Sequence, residues 1–194
     1  MILLIVVVII IMFVYYCLYD FRLKRICQFL SINDKILDLG CGSCCLTQKI
    51  KDKGYNIVGI DVVNESKCYN PVLFDGKVIP FKDKSFDVTI CAFVLHHIVN
   101  CEDMLDEMIR VTKKYILIFE DTPSCDIDQY LCSQHAKSHW GTSNCFKNID
   151  EWLKVFNKKG LRVVKIDPLG RLESPFARKP YIYPVNKTFF CVSI

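Results

Sequence analysis

From Lys35 onward the chain alternates short apolar runs with longer amphipathic ones, and this alternation limits the possible folds more than any other feature. The apolar runs are "KILDL" (35–39), "YNIVGID" (55–61), "NPVLFD" (70–75), "SFDVTICAF" (85–93), "YILIFE" (115–120), "LRVVKID" (161–167) and "KTFFCVSI" (187–194). Runs of this length, rich in β-branched and aromatic residues, read as strands. Between them, "LTQKIKDKG" (46–54) reads as a helix closed by Gly54, and "CEDMLDEMIRVTKK" (101–114) places Met104, Leu105, Met108, Ile109 and Val111 at helical spacing. Asp126 to His139 can be helical. "NIDEWLKVFNKKG" (148–160) is amphipathic, capped by Asn148 or Asp150 and stopped at Gly160. Strands alternating with helices predict an α/β fold: a seven-stranded, mostly parallel, doubly wound sheet. Little helix separates the last two strands, so they are expected to form an antiparallel hairpin at one edge.

The first part of the chain follows a different pattern. Ile2 to Tyr19 carries no charge, and about 18 apolar residues just suffice to cross a bilayer as a helix. Tyr15, Tyr16 and Tyr19 stand where an interfacial aromatic belt would lie, followed by Arg22, Lys24 and Arg25. A cleaved signal peptide would carry positive charge before the apolar run and small residues at its end, and neither is present. The expectation is a single-pass membrane anchor at 1–19 and one domain at 20–194. The charge flank puts that domain in the cytosol. A glycan on the sequon at Asn64 or Asn186 would reverse that orientation.

With 194 residues, 52% of them hydrophobic, the chain can bury a sizeable core. The net charge of +4 forms no basic stripe, so no nucleic-acid partner is expected. The twelve cysteines are expected as thiols, several of them inside apolar strands, rather than as a disulfide framework.

The chemistry concentrates where the first strand runs into "LGCGSC" (39–44). In an open α/β sheet, ligands bind beyond the carboxyl ends of the strands. Gly40 and Gly42 would let the backbone approach a ligand there, and Asp61, ending the second strand, could accept both hydroxyls of a ribose. A dinucleotide would want a third glycine where the chain has Cys45, and Asp38 would repel a pyrophosphate but attract an ammonium group. Cys44 adds a side chain where glycine would leave room. With a negative φ that bulk is accommodated, and with a positive φ the turn is strained.

These motifs resemble those of the class I S-adenosylmethionine-dependent methyltransferases. "LDLGCGSC" is similar to the family's glycine motif except at Cys44, "VGIDVV" (58–63) to its acidic strand end, and "FDGKVIPFKDKSFDVTICAFVLHHI" (74–98) to its central segment. "MLDEMIRVTKKYILIFED" (104–121) and "FKNIDEWLKVFNKKGLRVVKID" (146–167) match the later helices and strands, without the family's usual P-G-G turn. The resemblance implies S-adenosylmethionine as cofactor. It implies that Asp38 orients the amino group, Gly40 and Gly42 pass beside the methionine arm, and Asp61 holds the ribose with Val62 against the adenine. Asp75 would accept from the adenine amino group beside Gly76, and Ala92 and Phe93 would line the methyl-transfer site. No general base is guaranteed, since the sulfonium is already activated. His96, His97, His135 and His139 are the candidates for acceptor contact. Cys132, His135, His139 and Cys145 have no standard zinc spacing, and no metal is expected. A membrane-held methyltransferase with a small-molecule or lipid acceptor is the leading expectation. A non-catalytic binding or scaffold protein on the same fold is the alternative.

Overall fold

We describe the protein from a computed structural model, for residues 20–139, 145–170 and 185–194. The leader at 1–19, and the membrane helix expected there, lie outside the described residues. Among the described residues no helix is long and apolar enough to cross a membrane. The chain divides into two compact units, Met1–Ser31 and Ile32–Ile194. In the first, a helix not expected from the sequence, α1 (Phe21–Ile26), is capped by Asp20, whose side chain accepts from the Arg22 N–H at 3.1 Å.

The second unit holds β1 (Lys35–Leu39), α2 (Cys45–Asp52), β2 (Asn56–Asp61), β3 (Val72–Leu73), β4 (Phe86–Ala92), α3 (Cys101–Val111), β5 (Thr112–Asp121), α4 (Asp126–His139), α5 (Ile149–Lys158), β6 (Arg162–Gly170) and β7 (Lys187–Ser193). They form one seven-stranded sheet in the order β3-β2-β1-β4-β5-β7-β6. The first five strands pair in parallel, and β7 runs antiparallel to both β5 and β6. This is the expected doubly wound sheet with its edge hairpin. The strand order reverses between β1 and β4, the switch point beyond which ligands bind in such sheets.

The core follows from the two-residue period of the strands. Leu37, Leu39, Ile116, Ile118, Phe190 and Val192 pack in one cluster with Met104, Leu105 and Met108 of α3 and Trp152 and Phe156 of α5. Their neighbours Ile36, Leu117, Phe119, Phe189 and Cys191 are fully buried too, so the sheet is covered on both faces. Asn148 and Glu151 close a capping box that starts α5.

Two boundaries differ from the sequence reading for identifiable reasons. The helix expected to reach Lys114 stops at Val111, because Thr112 is extended, pairs with β4 and bonds through its hydroxyl to Met108 O and Thr89 Oγ1 at 2.6 Å each. Lys113 and Lys114 therefore stand on β5, not in the last turn of α3. The strand expected over 70–75 shrinks to the two exposed residues of β3, because Asp75 draws the chain into a turn. The reading of the cysteines as thiols is corrected at one pair. Cys101 at the start of α3 and Cys145 form a disulfide. Only proximity in the fold, across 44 residues of sequence, could reveal that partnership.

Candidate functional site

β1 delivers the chain into the glycine turn, which is built mostly from backbone. Gly40 and Cys41 donate their N–H groups to Ile60 O at 2.9 and 3.1 Å, tying the turn to β2. Gly40 has a φ of +68°, and a Cβ on it would lie 2.4 Å from Val94 Cγ2. Only glycine satisfies both demands. Gly42, at φ +51°, donates its N–H to Asp61 Oδ2 at 2.7 Å. The other Asp61 oxygen accepts from the Val62 N–H at 2.7 Å. Asp61 thus orders the turn from the end of β2.

Cys44 resolves the question left open by the sequence. It is buried, has a φ of +56° and stands as the N-cap of α2 without a side-chain cap bond. A left-handed non-glycine residue costs about 1–2 kcal/mol. Its sulfur contacts Cys41 Sγ at 3.2 Å. Burial, the Cys44 sulfur and the Asp38 carboxylate all push the Cys41 thiol far above its ordinary value, so it stays protonated.

A cavity of about 830 Å³ opens beside the turn. Gly40, Gly42, Asp61, Val62, Asp75, Gly76 and Phe93 all line it, so seven of the expected cofactor residues converge there. Asp75 Oδ1 accepts the Lys77 and Val78 N–H groups at 2.8 and 3.0 Å, and those bonds hold its carboxyl below the ordinary carboxylate range. Phe93 has a φ of +61°, a backbone strain at the cavity wall. Two expected residues stand elsewhere. Asp38 is buried behind the turn, where it accepts the Thr47 hydroxyl of α2 at 2.5 Å. Ala92 ends β4 without lining the cavity. Glu65, Asn100 and Asp103 also line the cavity and carry no spacing signal that would have marked them.

Past β4 the chain enters a short 3-10 turn, Leu95–His97. His97 lines the cavity, while His96 is buried and pairs through Nδ1 with Glu120 Oε2 at 2.5 Å. The other Glu120 oxygen accepts from the N–H groups of Val94 and Leu95 at 3.0 and 2.7 Å. Burial disfavours a charged His96, but the Glu120 carboxylate beside it outweighs that and raises the ring above its ordinary value. Burial likewise pushes the neighbouring Asp121 carboxyl up to about 6. His135 of α4 completes the group, with its ring 5.7 Å from that of His96 and 5.6 Å from that of His97. Glu120, read from the sequence only as a strand residue, is the main functional side chain missed; its one signal is a carboxylate at the end of an otherwise apolar run.

Among the described residues, Cys132, His135 and Cys145 do not meet as a metal-binding set. Cys145 is bound to Cys101, His135 turns to His96 and His97, and the side chain of His139 lies outside the described residues.

Residues 37–118 match a family model described as a methyltransferase domain. Among proteins with assigned names, a demethylmenaquinone methyltransferase of Paenarthrobacter aurescens is 30% identical over 92 residues, covering 43% of this chain and 36% of the relative. The human mitochondrial ubiquinone biosynthesis O-methyltransferase is 30% identical over 95 residues, covering 41% and 26%. The chain therefore spans well under half the length of these relatives. Among solved structures, a putative methyltransferase of Bacillus halodurans superposes with a TM-score of 0.69 at 17% identity, covering 90% of this chain and 99% of that one. An S-adenosylmethionine-dependent methyltransferase of Methanosarcina mazei gives 0.66 at 15% identity, covering 87% and 95%. The fold is shared with these structures, and the resemblance to the class I S-adenosylmethionine-dependent methyltransferases is borne out.

Proposed function

We propose that this chain is an S-adenosylmethionine-dependent methyltransferase for a small-molecule or lipophilic acceptor, held at a membrane by its N-terminal leader. The observation that carries the reading is the convergence of Gly40, Gly42, Asp61, Asp75 and Gly76 on one cavity of about 830 Å³ at the switch point of the sheet. The residues fit the cofactor: the cavity has room for a nucleoside, and Gly42, with nothing within 4 Å of where a Cβ would stand, leaves open space beside the turn. Bound there, S-adenosylmethionine would supply a methyl group already activated by the sulfonium. Asp61 would hold the ribose, Gly40 and Gly42 the methionine arm, and Asp75 with Gly76 the adenine. Phe93 and Val94 would exclude water from the transfer site, which leaves alignment of the acceptor as the main contribution of the protein. His97, on the cavity wall, is the candidate to take an acceptor proton.

The names of the relatives favour a quinone-type aromatic acceptor, and tethering by the leader suits a lipophilic one. Calorimetric titration of the full chain with S-adenosylmethionine tests the cofactor assignment. Asp61→Ala removes a charged partner of Gly42 and of the ribose, and is expected to weaken binding about 100-fold, as the loss of two charge-assisted hydrogen bonds implies. Unchanged affinity sinks the assignment.

The strained Cys44 favours the second reading, a binding or scaffold protein that keeps the fold without turnover. Methyl transfer from labelled cofactor into a lipid extract separates the two. The orientation of the domain has its own test. The charge flank places the domain in the cytosol, whereas the Cys101–Cys145 bridge suits an oxidising compartment. A glycan at the exposed Asn64 of the expressed protein would put the domain on the oxidising side.

A further inference from the structure

We propose that His96, His97 and His135 form a binding site for a divalent transition-metal ion, zinc foremost, at the rim of the cavity. One ring nitrogen from each lies within 4.8 Å of the other two. Two elements supply them: the turn after β4 gives His96 and His97, and α4 gives His135. A tetrahedral zinc with bonds of about 2.0–2.1 Å needs its ligand nitrogens about 3.3 Å apart. Closing the remaining gap takes small side-chain rotations of His97 and His135, both half-buried.

His96 is the fixed member. Its Nδ1 pairs with Glu120, whose other oxygen is held by the N–H groups of Val94 and Leu95, and its ring stacks on Phe146 at 4.9 Å and 18°. With Nδ1 as donor to the carboxylate, Nε2 is the ring nitrogen that would face a metal. A carboxylate that orients a histidine from behind is the usual support of a zinc ligand, and it also makes the ring a stronger donor. Among the described residues, Glu120 pairs with His96 and Asp121 follows it on β5, with the Lys187 ammonium 3.7 Å from Asp121 Oδ1.

The ligand set defines the ion. Three imidazoles suit zinc, copper or nickel, and give magnesium or calcium no oxygen ligands. Three protein ligands leave a fourth position open, as in catalytic rather than structural zinc sites. Because His97 lines the cavity, an ion held by it would lie at the cavity wall, within reach of a water or an acceptor oxygen.

The test uses the full-length protein, stripped of metal by a chelator and titrated with cobalt(II) as a visible probe. One equivalent giving the d–d bands of a tetrahedral nitrogen-ligated site, displaced by one equivalent of zinc, is the expected result. Glu120→Gln should weaken cobalt binding about 10–100-fold, and His135→Ala should weaken it more. The absence of bands at millimolar cobalt overturns the proposal. So does binding that survives His135→Ala, or bands of thiolate-to-cobalt charge transfer, which would assign the metal to cysteines. S-adenosylmethionine binding, measured on the same samples, separates the fate of this site from that of the methyltransferase reading: either can stand when the other fails.

Discussion

The glycine turn after β1 and the histidine group after β4 both lie at the carboxyl ends of parallel strands, yet they are built by opposite means. The turn is backbone. Its groups are Gly40, Cys41 and Gly42, its partners are Ile60 O and Asp61, and about 20 residues of sequence contain all of them. The histidine group is side chain. It draws on His96, His97, Glu120, His135 and Phe146, from four separate stretches of the chain. A backbone site imposes residue types at fixed spacing, because only glycine tolerates the conformations and the close approach. A side-chain site imposes only that rings and carboxylates meet after folding. The two regions join at Val94: its methyl groups cover Gly40, and its N–H is held by Glu120.

The largest expected effect therefore comes from Glu120. Glu120→Ala leaves two backbone N–H groups, one of them buried, and a buried histidine without their shared carboxylate, a loss of about 3–5 kcal/mol. Urea unfolding should show it, and a cost below about 1 kcal/mol would mean that Glu120 does not organise the group. Gly40→Ala comes next, at about 2–4 kcal/mol from left-handed strain plus overpacking against Val94. Adding Val94→Ala should recover the overpacking part and leave the strain. A double-mutant cycle with no coupling would separate the two regions that Val94 is held to join.

That contrast also sets how much the sequence disclosed. The sheet, its edge hairpin and seven cavity residues were readable, because alternating apolar runs, glycines and strand-end acids are local signals. Three kinds of feature were not. Asp38 sits in the motif but turns to Thr47, because the two-residue period of β1 points it away from the cavity wall. Glu120 looks like any strand-end acid until Val94, Leu95 and His96 arrive from a neighbouring strand end. Cys101 and Cys145 were hidden among twelve cysteines, since pairing depends on distance in space.

The pH response sharpens the comparison at smaller cost, because the ionisable strain lies on the histidine side. His96 is raised from 6.5, so its contribution to stability is full below 6.5 and is lost as pH rises through its folded value. Asp121 is raised from 3.8 to about 6, so the folded state loses stability as pH climbs through that window. Asp87 and Glu107 are held low, Asp87 chiefly by the Lys35 N–H and Glu107 chiefly by Arg110, and their contributions are lost as pH falls through their folded values. Thermal unfolding should therefore peak in mildly acidic buffer and decline toward pH 8. In Glu120→Gln, which removes the charge raising His96, the alkaline decline should flatten. An unchanged slope would assign the decline to other groups.

The smallest effect belongs to the turn, and its sign is the informative part. Cys44→Gly relieves about 1–2 kcal/mol of left-handed strain. Against that stand about 0.5–1 kcal/mol of added chain entropy and roughly 1 kcal/mol of lost burial for the thiol. The net change should stay within about 1 kcal/mol, and cofactor affinity should move little. Cys44→Ala keeps the positive φ and loses the sulfur, so it gains nothing to offset the loss. The expected order of melting temperatures is glycine above alanine at position 44, with the native cysteine close to glycine. If alanine matches or exceeds glycine, the left-handed backbone is not where the turn stores its strain; if the native cysteine also exceeds alanine, the sulfur contact with Cys41 becomes the reason a cysteine stands there.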